Sequence, residues 1–144
     1  MSDNVYQYYD ILCGIHSVDR FATHYNNKCA RFNSKYWCPG TEGVDAFNQN
    51  WSNENNWMVP PPALIARVIN KNLREKASST LVVPEWRSSP YWPLVFEGEH
   101  FKTFISHWSY LPNEQIITHG KSKNSVFAQF PKKFQMLALR IDFE

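Results

Sequence analysis

The stretch Asn55-Asn56-Trp57-Met58-Val59-Pro60-Pro61-Pro62-Ala63-Leu64-Ile65 decides how the chain folds, because an apolar run stops at three consecutive prolines and a helical pattern restarts beyond them. Trp57, Met58 and Val59 suit a buried strand. Prolines supply no amide donors, so the ladder must end near Val59. From Leu64 the apolar residues Leu64, Ile65, Val68, Ile69 and Leu73 recur at helical spacing, with Arg67, Lys71, Asn72, Arg74 and Glu75 between them. The pattern predicts an amphipathic helix laid on a sheet. A proline loop at that junction lies at the carboxyl end of a strand, the edge where open α/β sheets bind ligands.

Working outward, Val5, Tyr8, Tyr9 and Leu12 predict a first helix over Val5 to Cys13 that ends at Gly14. His16 to Ala22 alternates as a short strand with Asp19 near its middle or end. Thr23 to Glu42, rich in Asn, Lys, Gly and Pro, reads as one long irregular connection. Val44 to Phe47 reads as a short strand or turn, followed by polar loop around Trp51. Thr80-Leu81-Val82-Val83-Pro84 is the clearest buried strand. Ser88 or Ser89 is placed to cap a helix with Pro90 in its first turn, running to Gly98. Strands are expected within Phe101–Leu111 and over Phe134–Phe143, separated by a basic excursion. The order helix, strand, strand, helix, strand, helix, strand, strand describes an α/β layer fold with a mixed sheet.

A chain of 144 residues with 43% apolar composition is sized for one core, so a single domain over 1–144 is expected. A net charge of +2 announces no particular partner. Three cysteines, Cys13, Cys29 and Cys38, are no secreted disulfide framework and suggest reduced thiols in a cytoplasmic or nuclear setting. No apolar run approaches the roughly 20 residues that span a bilayer, and the N-terminus lacks a signal-peptide pattern, so no membrane partner is expected.

The phrases Asp19-x-Phe21-Ala22, Asn26-x-x-Cys29-x-Arg31-Phe32, Asp45-Ala46-Phe47-x-Gln49-x-Trp51 and Trp57-x-Val59-Pro60-Pro61 resemble, in order, the motifs of phage-type DNA adenine methyltransferases. A closer resemblance covers nearly the whole chain. Val18-Asp19-Arg20-Phe21-Ala22, Arg31-Phe32-Asn33-Ser34, Cys38-Pro39-Gly40, Leu81-Val82-Val83-Pro84-x-Trp86, Pro90-Tyr91-Trp92-Pro93-Leu94 and Met136 to Asp142 are similar to the methyltransferase-like region of DIRS-type tyrosine-recombinase retrotransposon polyproteins. This resemblance implies a mobile-element domain, or a gene domesticated from one, of methyltransferase-like Rossmann architecture. Its implied partners are the reverse transcriptase and ribonuclease H that lie upstream in the parent polyprotein.

In the resembling enzymes an Asn-Pro-Pro-Tyr loop holds the amine of a flipped base through the polar side chain and the first proline's carbonyl, and the aromatic stacks on the base. Here Val59, Pro60, Pro61 and Pro62 occupy that loop. Val59 replaces the acceptor and Pro62 the aromatic, so the expectation is a degenerate catalytic motif, losing on the order of a few kcal/mol of barrier stabilisation. The resemblance implies Asp19, Phe21, Ala22, Asp45 and Phe47 as the contacts of S-adenosylmethionine, where a carboxylate accepts from an ammonium or amine. Set against this, an Asp at a strand end is commonly a cap or turn residue, and the Gly-rich Rossmann turn is missing after Phe21.

Trp86, Arg87 and Trp92 place a cation beside rings, which suits single-stranded nucleic acid or a flipped base, unless the rings simply cover the sheet end. Lys121, Lys123, Lys132 and Lys133, with Arg140, suggest a phosphate-tracking loop, or a solvated surface. His24, Cys29 and Cys38 lack zinc-knuckle spacing, and Asp19, Asp45, Glu85 and Asp142 are a weak ribonuclease H-like carboxylate set, so no metal site is assigned. The expectation is a catalytically degenerate methyltransferase-like domain that binds nucleic acid. Its alternatives are an active S-adenosylmethionine-dependent DNA amino-methyltransferase and a structural spacer of the polyprotein.

Overall fold

A computed structural model of the chain describes residues 3–23, 25–111 and 135–143. Seven strands form one sheet: β1 (Val18–Asp19), β2 (Arg31–Ser34), β3 (Gly43–Val44), β4 (Asn55–Met58), β5 (Ser78–Pro84), β8 (Ile105–Tyr110) and β9 (Met136–Ile141). Their spatial order is β3-β2-β1-β4-β5-β9-β8. The first five run parallel, and β9 enters antiparallel between β5 and β8. The fold is therefore α/β with a mixed, mostly parallel sheet. The order reverses between β1 and β4, so the topological switch point lies between their carboxyl ends.

Where the helices cover them, Trp57 and Met58 of β4 and Leu81 to Val83 of β5 are apolar on both sides, as a two-faced sheet requires, while Asn56, Ser79 and Thr80 nearer the amino ends are buried polar residues. On one face α2 (Ile65–Glu75) buries Ile65, Val68 and Ile69 against Met58, Leu81, Val83, Leu137, Leu139 and Ile141. On the other, α1 (Asp3–Cys13) buries Val5, Tyr6 and Tyr9 against Trp57, Val82, Met136 and Ala138. Each fully buried large aliphatic contributes about 1.5–3 kcal/mol, so this two-sided contact is the main source of stability. α2 stops at Lys76, which adopts the left-handed conformation, and Asn72 fastens the next strand by accepting from Ser79 Oγ at 2.5 Å.

Where the elements depart from the expectations, tertiary bonds override local pattern. The segment expected as one irregular connection, Thr23 to Glu42, contains β2. That strand reads Arg-Phe-Asn-Ser and has no apolar alternation. It is held by pairing to β1 and β3, and its buried polar residues are bonded by partners distant in sequence: Arg20 Nη1 donates to Asn33 Oδ1 at 2.8 Å, and Ser34 Oγ bonds Thr41 Oγ1 at 2.9 Å. The strand expected over His16 to Ala22 contracts to Val18–Asp19. The helix expected to reach Gly98 is only one turn, α3 (Trp92–Val95). Beyond it the chain forms a hairpin of β6 (Phe96–Glu97) and β7 (His100–Phe101), turning at Gly98 with φ +63°. Rings of Trp92, Phe96 and Phe101 pack on one another there, with centroids 5.0–5.9 Å apart, and favour the hairpin over a longer helix. No helix among the described residues is long and apolar enough to cross a membrane.

Candidate functional site at the carboxyl rim

The triproline corner lies directly after β4 at the switch point, at the strand-to-helix junction expected for it. Pro60 is buried, Pro61 is exposed, and Pro62 opens a single 3-10 turn (Pro62–Leu64) that leads into α2. Val59 is half-buried and packs against the α1-side core, so its side chain contributes no polar group.

Asp19 ends β1 on the other side of the same switch point. It is paired with Trp57 of β4 and is only 3% exposed. The backbone N–H of Lys28 donates to Asp19 Oδ2 at 2.9 Å, and the N–H of Phe21 also bonds the carboxylate. Burial outweighs these donors and pushes the Asp19 carboxyl up to about 6. The connection 20–30 thus folds its own main chain onto the carboxylate that the resemblance assigns to a cofactor.

On the α2 face the space beside the switch point is also taken. Arg20, 3% exposed, donates from Nε to Asn56 Oδ1 at 2.8 Å, from Nη1 to Asn33 Oδ1 at 2.8 Å, and from Nη2 to the Asn50 carbonyl at 3.0 Å. Burial lowers its pKa, partly offset by Glu54 and Glu42. Phe21 meets Phe47 with ring centroids 5.7 Å apart and Trp51 at 6.3 Å, and the Arg67 guanidinium lies 4.0 Å over the Phe47 ring. Trp51 is fully buried and donates from Nε1 to the Ala46 carbonyl at 2.9 Å. Ala22, also buried, donates its N–H to the Asn33 carbonyl at 3.0 Å. The structure therefore brings Phe21 and Phe47 together, but as packing partners of each other.

Asp45 follows β3 on the same rim. Its carboxylate accepts from the Phe47 N–H at 3.0 Å and caps the 3-10 turn Ala46–Asn48, with its own backbone at φ +65°. That is the cap or turn role open to any strand-end aspartate.

After β5 at the same rim, Arg87 is exposed and reaches back over Trp92 and Phe96, 5.2 and 5.4 Å from their centroids, while pairing with Glu85 at 2.6 Å. Trp92 is 6% exposed and stacked on Phe96, and Trp86 is half-buried. Arg87 is accordingly the member of this group that faces solvent. Lys121, Lys123, Lys132 and Lys133 lie outside the described residues. Cys29 is buried against Tyr6 Oη at 3.2 Å, and burial pushes its thiol up to about 11, which makes it a poor ligand or nucleophile.

Sequence reasoning passed over the most exposed rings of this rim. The loop after β2 presents Tyr36 and Trp37, 73% and 74% exposed, and the loop after β1 presents Tyr25 at 87%. Lys35 Nζ stands 5.4 Å over the Tyr36 ring. The loop is stapled from below: Ser34 Oγ donates to the Tyr36 carbonyl at 2.6 Å, Thr41 Oγ1 donates to the Gly43 carbonyl at 3.0 Å, and Gly40, at φ +84°, lies against Phe32. The signal in the sequence was Lys35-Tyr36-Trp37 running directly into the turn-forming Cys38-Pro39-Gly40, a pattern that displays rings instead of burying them.

No protein-family model matches the chain, and no curated protein sequence matches it significantly.

Proposed function

We propose that the chain is a methyltransferase-like Rossmann domain of retroelement descent whose methyl-transfer site is closed, and whose carboxyl rim binds single-stranded nucleic acid. The strand order supports the methyltransferase-like reading. A β3-β2-β1-β4-β5 parallel core is the doubly wound arrangement, and the antiparallel β9 inserted before β8 gives the mixed sheet the resemblance implies. The proline corner after β4, Asp19 at the end of β1 and Asp45-Ala46-Phe47 after β3 share one rim in the order of the amino-methyltransferase motifs.

The observation that carries the functional reading is the contrast between Asp19, 3% exposed beneath the Lys28 amide, and Trp37, 74% exposed next to Tyr36, whose ring lies under Lys35 Nζ. A carboxylate under main chain cannot bond a cofactor ammonium without the loop leaving. An exposed indole on a stapled turn is preorganised to stack on a base, a contact worth about 1–3 kcal/mol per base. Val59 and Pro62 at the motif loop remove the side-chain acceptor and the stacking ring, which further opposes amino-methylation.

Calorimetric titration with S-adenosylmethionine is expected to show no binding. A labelled single-stranded oligonucleotide is expected to bind and to weaken linearly in log–log salt plots, and Trp37→Ala is expected to lose about tenfold in affinity. Cofactor binding with methyl transfer to DNA would establish the active-enzyme alternative. Absence of both binding events would leave the domain a structural spacer beside reverse transcriptase and ribonuclease H.

A further inference from the structure

Toward the amino-terminal end of the sheet, polar side chains of α1, β4, β5 and β9 close a circuit of hydrogen bonds. His16 is buried, and its imidazole is wholly out of solvent. Its Nδ1 meets Asp10 Oδ1 of α1 at 2.5 Å, and its Nε2 meets Thr80 Oγ1 of β5 at 2.7 Å. Arg140 of β9 donates from Nη1 to Thr80 Oγ1 at 3.2 Å and to Asn55 Oδ1 of β4 at 2.6 Å. Asn55 Nδ2 returns to α1, donating to the carbonyls of Gly14 and Ile15 at 3.2 and 3.1 Å just past its last turn. Both ends of the circuit therefore fasten the carboxyl end of one helix.

The donors give this circuit a single sense. A guanidinium only donates, so the Asn55 and Thr80 oxygens accept from Arg140. A carboxylate only accepts, so Nδ1 carries the proton, and a neutral His16 leaves Nε2 bare for the Thr80 hydroxyl hydrogen. An imidazolium breaks the order. Its second N–H meets the oxygen that already takes Arg140, turns the hydroxyl hydrogen out of the circuit and sets two cations on either side of one oxygen. Burial holds His16 below the ordinary histidine range; Asp10 opposes this, and Arg140 adds to it. Arg140 is itself paired with Asp142 at 3.1 Å. Also packed here are the rings of Tyr6 and Trp57, 5.9 and 5.1 Å from the imidazole, and the Cys29 thiol against the His16 carbonyl, none of them charged at neutral pH.

We propose that this circuit is a proton-operated latch on α1: uptake of a proton at His16 releases the helix from the sheet and, with it, the connection 20–30 that lies on Asp19. The second step follows from two bonds between α1 and that connection, Tyr6 Oη with Cys29 Sγ at 3.2 Å and Lys28 Nζ with Asp3 at 2.8 Å. Lys28 is the residue whose amide covers Asp19. With α1 lifted, the imidazole reaches water and regains its ordinary affinity for a proton. The docked state binds that proton less tightly, so docking is fully favoured above about pH 6.5 and loses up to about tenfold per pH unit below it, until the docked ring is itself protonated.

The test joins nitrogen NMR of the imidazole to amide hydrogen exchange, corrected for its intrinsic pH dependence, at about pH 7.5 and about pH 5. The expected result is a neutral ring protonated at Nδ1 at the higher pH, with opening of α1 and of the Lys28 amide rising about tenfold or more at the lower. Both responses should persist in Asp19→Asn, which removes the titration of the nearby carboxyl. His16→Gln has a donor and an acceptor to offer Asp10 and Thr80 but takes no proton, and should abolish them. Should that variant misfold, the intact chain decides the matter, since α1 must begin to open below about pH 6.5 while the docked ring is still neutral. A ring charged or protonated at Nε2 at the higher pH overturns the proposal. So does opening of α1 that ignores pH, that persists unchanged in His16→Gln, or that does not reach Lys28.

Discussion

The two halves of the sheet are built differently. β4, β5 and β9 are covered by α1 on one face and α2 on the other, and Trp57, Met58, Leu81 to Val83, and Met136 to Leu139 make their carboxyl-rim half an apolar buried core. β1, β2 and β3 are joined by connections 20–30 and 35–42 whose described residues form no helix. A parallel sheet normally hides its faces under crossover helices. Lacking them, the second half closes with its own polar groups: Arg20 bridges Asn56, Asn33 and the Asn50 carbonyl, while Arg31 at the opposite edge binds Glu42 and Glu54. The difference explains the sealed rim. A loop that replaces a helix must place its amides somewhere, and the Lys28 amide goes to Asp19.

The largest expected effect tests whether Arg20 is the substitute for a missing helix. Arg20→Ala leaves two asparagine oxygens and a carbonyl without their charged donor in a buried place, and should cost about 3 kcal/mol or more. If the halves are separate units of stability, amide exchange in this variant will accelerate across β1, β2 and β3 before β4, β5 and β9. Uniform acceleration over the whole sheet, or a loss below about 1 kcal/mol, would break the comparison.

The same division separates what the sequence disclosed from what it withheld. β4, β5, α2 and β9 announce themselves because their burial is apolar and periodic, and Trp57 to Ile65 placed the corner correctly. β2 was illegible because Asn33 and Ser34 are buried on the strength of partners 13 residues upstream and seven downstream, which no local pattern records. At the site, motif order placed Asp19, Asp45 and Pro60 on one rim. It gave no sign that Phe21 and Phe47 would pack on each other, because ring packing depends on how far β3 stands from β1 in the folded sheet. The display of Tyr36 and Trp37 was hidden for the complementary reason: an aromatic residue in a sequence is by default assigned to a core.

Asp19 sharpens the comparison at intermediate size. Its folded pKa, about 6, stands above the ordinary value near 3.8, so the folded state binds the proton more tightly than the unfolded chain does. Stability from this group is therefore greatest below pH about 4, falls as pH rises through 4 to 6, and stays reduced above that, by roughly 1–3 kcal/mol. Asp19→Asn keeps an acceptor for the Lys28 amide and removes the charge. It should stabilise the protein at pH 7 by that amount and make no difference at pH 4, as read by urea titration at the two pH values. Equal stability at pH 7 would mean that the carboxylate is ionised without penalty, and so reached by solvent or a cation despite its burial.

The smallest effect concerns the polar seam at the amino-terminal edge. Arg31 donates to Glu42 and to Glu54, and the guanidinium holds both carboxyls below their usual range. The network is comparatively open: the Arg31 side chain is 45% exposed, so water and salt screen most of what the charges gain. Arg31→Ala should cost less than about 1 kcal/mol, and 1 M salt should shrink the difference further. The sign with pH is opposite to that of Asp19, since depressed carboxylates contribute stability above their unfolded pKa and lose it as pH falls through the folded value. A loss comparable to Arg20→Ala would instead show that β2 depends on its exposed edge as much as on its buried one, and that the helix-free half is fastened from both ends.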